Sequence, residues 1–142
     1  MISIGSDHGG YELKMAVIEH LNSKGIECKD YGCYSLDSCD YPEFGRAAAK
    51  AVASGECEKG IVICTTGIGI SITANKVKGV RCALCTNTEL AKMTRLHNNS
   101  NMLALGASVV SKELAMDIVD TFLNTEFSEE ERHQRRIDKI EE

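Results

Sequence analysis

The chain has little of what marks several unusual classes of protein. It contains one proline, no tryptophan and three phenylalanines in 142 residues. The scarcity of proline excludes collagen and proline-rich linkers, and 43% hydrophobic with 26% charged residues excludes a disordered chain. No stretch approaches the roughly 20 apolar residues of a membrane span, and no secretory signal is recognisable, so we expect a cytoplasmic protein. The length predicts a single domain over residues 1–142.

Basic residues are too few for a nucleic-acid-binding face, because 16 basic against 21 acidic residues give a net charge of −5. The seven cysteines are an odd number, and we expect them to stay reduced in the cytoplasm. Cys82 and Cys85 have the spacing of a metal-binding pair. They fall in a predicted strand, however, where residues three apart point to opposite faces. Buried thiols are therefore favoured over a shared zinc ion.

Apolar runs with strand character alternate with segments of helical periodicity. The predicted strands are Met1–Ser6, Ile26–Asp30, Gly60–Cys64, Val80–Cys85 and Met102–Gly106. The helical patterns cover Leu13–Leu21, Phe44–Val52, Ile70–Lys76, Leu90–His97 and Leu114–Leu123. Strict alternation predicts a doubly wound, Rossmann-like α/β domain: a five-stranded parallel sheet with helices on both faces. We take 2-1-3-4-5 as the working strand order. The charged tail, residues 125–142, is predicted to be helical.

Two unusual loops leave the first and third predicted strands. They are Asp7-His8-Gly9-Gly10 and Cys64-Thr65-Thr66-Gly67-Ile68-Gly69. In this strand order ligands bind between these two strands, outside their carboxyl ends. The amides of the glycine turn favour an anion. The alternative is a tight turn without a ligand, and the motif lacks the residues of a nucleotide site.

Three other features have both a chemical and a structural interpretation. Cys64 is either an activated thiol that could act as a base or a small core residue. His97-Asn98 closes the fourth helix and is expected near the carboxyl edge or at a subunit boundary, or is an ordinary helix-end histidine. Arg132 and Arg136 lie four apart, so they could clamp a phosphate or pair with the acidic residues 129–131.

Five motifs together resemble the type B ribose-5-phosphate isomerases, over nearly the whole chain and in the same order. They are Ser6-Asp7-His8-Gly9-Gly10, Asp40-Tyr41-Pro42, Cys64–Ser71 with Ala74-Asn75-Lys76, Arg95-Leu96-His97-Asn98, and Arg132-His133-Gln134-Arg135-Arg136. The superfamily includes galactose-6-phosphate isomerase subunits and enzymes acting on allose 6-phosphate. The resemblance implies one sugar-phosphate isomerase domain of the pentose phosphate pathway, with phosphate-binding arginines in the tail. It further implies no metal or cofactor, and a homodimer with sites shared between subunits, with a dimer of dimers also open.

The resemblance also implies roles for individual residues in a reaction through a cis-enediolate. Cys64 would be the base that moves the carbon-bound proton, and Asp7, Thr66 and His97 would assist ring opening. The groups that would stabilise the enediolate are the amides of Thr65, Thr66, Gly67, Ile68 and Gly69, with Ser71 and Asn98. The groups that would hold the phosphate are His8, Arg132 and Arg136. In this assignment the glycine turn serves the oxyanion and not the phosphate.

The chain departs from the family pattern at two positions. Many relatives have glycine where this chain has Thr65, and a side chain there would be strained if the backbone needs a positive φ. Many have arginine where this chain has Ser108, which implies one phosphate contact fewer. An isomerase of a six-carbon sugar phosphate, whose pocket Thr65 and Ser108 would reshape, is therefore an alternative. A non-catalytic sugar-phosphate binding module and a thiol redox protein using Cys82 and Cys85 are two others.

Overall fold

The computed structural model describes residues 1–142, which form five strands and six α-helices in alternation. The strands are β1 Ile2–Ser6, β2 Cys28–Asp30, β3 Lys59–Cys64, β4 Cys82–Leu84 and β5 Met102–Gly106. The helices are α1 Tyr11–Ser23, α2 Tyr41–Ala53, α3 Ile68–Asn75, α4 Thr88–Met93, α5 Lys112–Asn124 and α6 Glu131–Ile140, with a π-helical turn at Thr94–Asn98 after α4. The predicted doubly wound parallel sheet and the helical tail are confirmed.

The strand order differs from the prediction at one side of the sheet. All neighbours are parallel and the order is β2-β1-β3-β5-β4, so the last two strands exchange places. Every residue of β5 is buried, whereas the three residues of β4 are half-buried. The longer apolar strand takes the inner position because an inner parallel strand is covered on both faces. The switch between β1 and β3 is unaffected.

Helices cover both faces of the sheet, and alternate residues of each strand pack against different layers. Ile61 and Ile63 belong to the core formed with α1, α4 and α5. Val62 and Cys64 belong to the core formed with α2 and α3. The Cys64 side chain therefore leaves the end of β3 on the side of α3, the helix that follows it in the chain.

In the sequence, Pro42 two residues after Asp40 predicts a helix start and Gly25 after Lys24 predicts a helix stop, and the backbone confirms both. Asp40 is the N-cap of α2, with Pro42 in its first turn, and Gly25 follows the end of α1 with a φ of 73°. The predicted fourth helix is not continuous, because α4 ends at Met93 and the chain widens into the π-helical turn. None of the helices combines the length and apolar character needed to cross a membrane.

A buried lysine joins α1 to the segment that precedes α2. Lys14 has no solvent-exposed surface, and its Nζ lies 2.6 and 2.7 Å from the two carboxylate oxygens of Asp30. The same ammonium donates to the carbonyl of Cys33. This ion pair anchors residues 31–40, the loop between β2 and α2, beside the end of β1.

Candidate active site

The two unusual loops meet at the carboxyl edge of the sheet, as predicted. β1 and β3 are paired in register up to Ser6 and Ile63, so Asp7 and Cys64 leave the sheet beside each other. The Asp7 amide donates to the carbonyl of Ile63 at 3.2 Å, which extends the contact between the two strands by one residue. β2 lies on one side of this pair and β5 on the other, so the loops flank the switch point of the sheet.

The Cys64 thiol is held by the turn that follows it. Its sulfur accepts a hydrogen bond from the Gly67 amide at 3.1 Å, and the residue is 5% exposed. Gly67 has a φ of 80°, and a Cβ there would lie 2.5 Å from Leu84 Cδ1 and 2.9 Å from the carbonyl carbon of Leu105. Glycine is therefore required for both the backbone angle and the space. The Gly67 amide thus fixes the position of the sulfur at the end of β3.

Backbone donors surround the start of α3. The amides of Gly69 and Ile70, in the first turn, have no acceptor within the chain. The Ile68 amide donates to Thr66 Oγ1 at 3.2 Å, and the Ser71 hydroxyl donates to the Ile68 carbonyl at 2.7 Å. Free amides at a helix N-terminus stabilise a developing oxyanion, so this turn has the chemistry expected of it.

Asp7 and His8 are fixed by the backbone of neighbouring loops. The Gly10 amide donates to Asp7 Oδ1 at 2.9 Å, and Asp7 is buried. The Cys39 amide donates to His8 Nδ1 at 3.2 Å. A neutral imidazole that accepts at Nδ1 carries its hydrogen on Nε2, so His8 presents a donor on the side away from Cys39.

Thr65 occupies its position without backbone strain. Its φ is not positive, so the strain considered for a side chain at this position is absent. The carbonyl of Thr65 accepts from both the amide and the hydroxyl of Ser108, at 2.9 and 2.8 Å. The two departures from the family pattern are thus in direct contact. Ser108 ties the loop after β5 to the turn after β3.

Tyr41 is a site residue that sequence reasoning did not select. A Cβ at Gly69 would lie 2.5 Å from Tyr41 Cζ and 2.6 Å from its hydroxyl oxygen, so the ring rests on the turn that begins α3. Asp40-Tyr41-Pro42 was visible as a motif, but a tyrosine at the start of a helix carries no signal of what its ring covers. Only the packing of α2 on α3 places it here.

His97 and Asn98 lie at the opposite edge of the sheet, and the expectation that they approach the carboxyl edge is wrong. The Asn98 carbonyl accepts from Arg81 Nε at 3.0 Å, and Arg81 comes just before β4. The π-helical turn likewise ends shortly before β5 begins. A helix that follows a parallel strand runs back to the amino edge, and β5 is five residues long, which separates the two edges by about 16 Å.

The tail helix α6 joins His97 at this amino edge. The His133 ring stacks on the His97 ring with centroids 4.3 Å apart, and the Ser128 hydroxyl donates to the Leu96 carbonyl. Arg132 and Arg136 are exposed on α6, with Arg132 3.6 Å from Glu130. One chain therefore carries two separate clusters of candidate residues. The carboxyl-edge cluster runs from Asp7 to Ser71 in the loops after β1 and β3, and the amino-edge cluster consists of His97, Asn98, Arg132, His133 and Arg136.

His133 is the second residue that the sequence did not single out. It is 6% exposed, and its Nε2 has no hydrogen-bond partner although Glu130 Oε2 lies 3.3 Å away. Burial lowers the pKa of His133, with neighbouring His97 and Arg132 acting in the same direction. The sequence signal was its place between two arginines on a strongly amphipathic helix.

Burial disfavours the thiolate form of several other cysteines. Burial raises the pKa of the Cys85 thiol to about 11 and raises that of Cys82 further. Burial also raises the pKa of Cys39. All seven cysteines are free thiols, and Cys85 is buried as expected, whereas Cys82 on the edge strand is half-buried.

The chain resembles known proteins over nearly its whole length. A family model described as Ribose/Galactose Isomerase matches residues 2–140. The chain belongs to this family. It is 45% identical over 139 residues to ribose-5-phosphate isomerase B of Escherichia coli (strain K12), covering 98% of this chain and 93% of that protein. The protein is therefore a sugar-phosphate isomerase, as the motifs suggested.

Two further relatives carry the names of enzymes for different sugar phosphates. The solved structure of Clostridium thermocellum ribose-5-phosphate isomerase B is 55% identical and superposes with a TM-score of 0.97, covering 99% of this chain and 94% of the other. Galactose-6-phosphate isomerase subunit LacB of Clostridium acetobutylicum is 41% identical over 142 residues, covering 100% of this chain and 82% of that subunit. The shared fold thus serves sugars of two lengths.

Proposed function

We propose that the protein interconverts ribose 5-phosphate and ribulose 5-phosphate. The observation that carries the proposal is the position of the Cys64 thiol at the end of β3. Its sulfur accepts a hydrogen bond from the Gly67 amide, and it lies beside the start of α3, where two backbone amides have no acceptor. Aldose–ketose isomerisation needs a base next to a group that stabilises an enediolate, and this turn supplies both. The similarity to proteins named ribose-5-phosphate isomerase B supports the five-carbon substrate.

Cys64 acts as the base in this proposal. As a thiolate it removes the proton from C2 of the open-chain aldose, and the electron pair of that C–H bond forms the C1–C2 double bond of a cis-enediolate. The carbonyl oxygen at C1 takes up the negative charge, which the turn amides stabilise. The hydroxyl proton on the C2 oxygen moves to the C1 oxygen, Cys64 returns the carbon-bound proton to C1, and the C2 oxygen becomes the ketone. The reaction therefore needs no external reductant or oxidant.

Ring opening precedes this step and uses groups from both the carboxyl-edge cluster and the amino-edge cluster. Asp7 and Thr66 contact the sugar hydroxyls, and His97 transfers the proton to the ring oxygen. His8, with a hydrogen on Nε2, binds the phosphate together with Arg132 and Arg136. Asn98 joins the amides at the enediolate, with Ser71 beside them.

In this proposal the amino-edge cluster comes from a second copy of the chain, because His97 and Cys64 of one chain lie at opposite edges of the sheet. Ile68 and Ile72, one turn apart on α3, are 54% and 55% exposed. They form an apolar strip that begins at the catalytic turn. A homodimer that covers this strip would bring the amino-edge cluster of each copy to the carboxyl-edge cluster of the other.

The same chemistry on a six-carbon sugar phosphate is a second candidate. It is favoured by the similarity to a galactose-6-phosphate isomerase subunit over the full chain. The two candidates differ only in which substrate gives the larger kcat/KM.

Ketose formation from ribose 5-phosphate tests the proposal directly. We expect turnover by the purified protein and its loss in Cys64→Ala, with phosphate-dependent thermal stabilisation retained in that variant. Undiminished turnover in Cys64→Ala would rule out the thiol as base. Binding without any turnover by the wild-type protein would instead indicate a non-catalytic sugar-phosphate binding module.

A further inference from the structure

We propose that Arg81 is a positioning residue of the amino-edge cluster. Its guanidinium joins the π-helical turn to the C-terminal end of α6. The turn carries His97 and Asn98, and α6 carries Arg132 and Arg136, so this arginine sets the proton-transfer group relative to the phosphate-binding groups. The inference rests on the proposed function, in which both segments contact the substrate. Arg81 lies outside all five motifs of the family pattern.

The Arg81 side chain uses each of its three nitrogens to bind a different group. Nε donates to the Asn98 carbonyl at 3.0 Å, and Nη2 donates to the Asn99 carbonyl at 2.9 Å. Nη1 donates to Glu141 Oε1 at 3.0 Å, and Glu141 directly follows α6. Only 18% of the arginine side chain is exposed, so water has little access to these hydrogen bonds.

The π-helical turn needs a donor from outside at its end. The last carbonyls of a helix have no amide partner within it, and Asn99 leaves the turn in the left-handed conformation, with a φ of 45°. The guanidinium supplies two donors and a positive charge at this C-terminus. A lysine has the charge but lacks the planar fork that holds both carbonyls. Arg81 therefore fixes the backbone that directly follows His97.

The backbone of Arg81 is itself fixed to the sheet. Its amide donates to Asn101 Oδ1 at 2.8 Å, and its carbonyl accepts from the amides of Asn101 and Met102. Cys82 begins β4 and Met102 begins β5, and these two residues are paired in the sheet. The arginine side chain therefore connects the turn and α6 to the sheet as well as to each other.

The contact with Glu141 holds the end of α6. The other polar side-chain contacts of this helix, such as Gln134 with Asp138 and His133 with Glu130, stay within the tail. Arg136 lies five residues before Glu141, or about 7.5 Å along the helix. Loss of the Arg81–Glu141 contact should therefore displace this phosphate ligand and leave the π-helical turn in place.

Two substitutions separate the two connections made by Arg81. Arg81→Ala removes both, so it should raise the KM for ribose 5-phosphate and lower kcat about a hundredfold, the loss that a misplacement of about 1 Å can cause. Glu141→Ala removes only the connection to α6, so it should raise KM about two- to fivefold and leave kcat unchanged. Glu56→Ala is the matched control, because it breaks an exposed ion pair with Lys29 at 2.8 Å. It should change neither constant.

Chemical rescue separates positioning from a general loss of stability. Guanidinium ion, added well below the concentrations that unfold proteins, should restore kcat of Arg81→Ala at least about tenfold, because it supplies the missing planar donors. Ammonium ion at the same concentration lacks the fork and should not. Arg81→Lys replaces Arg81→Ala if thermal melting shows that the alanine variant is unfolded, and it should lose at least about tenfold in kcat. Unfolding of part of the protein would lower the apparent kcat without changing KM.

The outcomes separate this inference from the proposed function. Wild-type turnover of ribose 5-phosphate with unchanged kcat and KM in Arg81→Ala overturns the inference and leaves the proposed function standing. A loss of kcat that guanidinium does not restore, together with an unchanged KM in Glu141→Ala, also overturns it, because Arg81 would then have only a structural role. The absence of turnover with every sugar phosphate overturns both.

Discussion

Cys64 and His97 lie at opposite edges of the same sheet, one at the end of β3 and the other just before the start of β5. Their separation follows from the winding of the chain, because each helix returns from the carboxyl edge to the amino edge. No rotamer change can bring the two side chains together within one chain. A reaction that uses both groups therefore depends on two copies.

Mixing two inactive variants should restore activity. In a heterodimer of Cys64→Ala and His97→Asn chains, one site carries both defects and the other carries neither. If dimers form at random, half are heterodimers with one intact site, so about a quarter of wild-type activity is expected. The measurement is ribose 5-phosphate turnover after the two variants are unfolded and refolded together.

The control for this experiment is a mixture of Cys64→Ala and Cys64→Ser, which both carry their defect in the carboxyl-edge cluster. That mixture should show no gain over the separate proteins. Failure of the first mixture to exceed its components, with mixed dimers shown to be present, would contradict a site shared between copies.

Cys64→Ser should lower kcat by about a thousandfold, because a hydroxyl is a far weaker base than a thiolate and general-base catalysis contributes about 10²–10⁴-fold. The smaller oxygen keeps the Gly67 amide bonded, so the melting temperature should change little. Steady-state kinetics and thermal melting check the two parts. A large loss of stability together with activity would identify Cys64 as a structural residue instead.

His133 should make the protein less stable in mild acid. Burial, with His97, Arg132 and Arg136, lowers the pKa of this imidazole, whereas Glu130 opposes the shift. The unfolded chain therefore takes up the proton first, near its ordinary pKa of about 6.5. The stabilising contribution of neutral His133 is complete above that pH and is lost as the pH falls toward the folded-state pKa.

His133→Phe keeps the stacking on His97 but does not titrate, so its melting temperature should fall less between about pH 7 and pH 5. Parallel melting curves for the two proteins over this range would show that His133 does not titrate.

Cys82 and Cys85 should resist alkylation in the folded protein. Burial raises the pKa of Cys85 to about 11 and that of Cys82 further, so both remain thiols at about pH 8. Iodoacetamide labelling followed by peptide mass spectrometry should find them unmodified until denaturant is added. Rapid modification of both in the folded state would favour the thiol redox interpretation of this pair.

Lys14→Met should destabilise the protein by about 3 kcal/mol, because it leaves the Asp30 carboxylate partly buried without its cation. Lys29→Met is the matched control. Lys29 pairs with Glu56 at 2.8 Å, but the side chains are 51% and 45% exposed, and such pairs contribute about 0–1 kcal/mol. Urea unfolding measures both changes. Equal effects of the two substitutions would show that the Lys14 ion pair does not hold the 31–40 loop.

Much of the fold could be predicted because it depends on local patterns. The five strands and the first, second and fifth helices were evident from the spacing of apolar residues, and Gly25 and Pro42 marked helix boundaries correctly. The places of β4 and β5 were not evident, since periodicity describes each strand separately and does not encode its neighbours. Lys14 was also missed, because a lysine in a helix is usually exposed and its partner Asp30 lies 16 residues away.

The amino-acid sequence alone determined which chemical groups the protein has and which loops carry them. Asp7, His8 and the turn after Cys64 could be assigned to one sheet edge because parallel strands all end on the same side. The tertiary structure alone decided that His97 and the tail arginines lie at the other edge, that Tyr41 covers the turn, and that Ser108 binds the carbonyl of Thr65. These relationships depend on strand order and helix packing between segments far apart in the chain, and the local spacing of residues does not determine them.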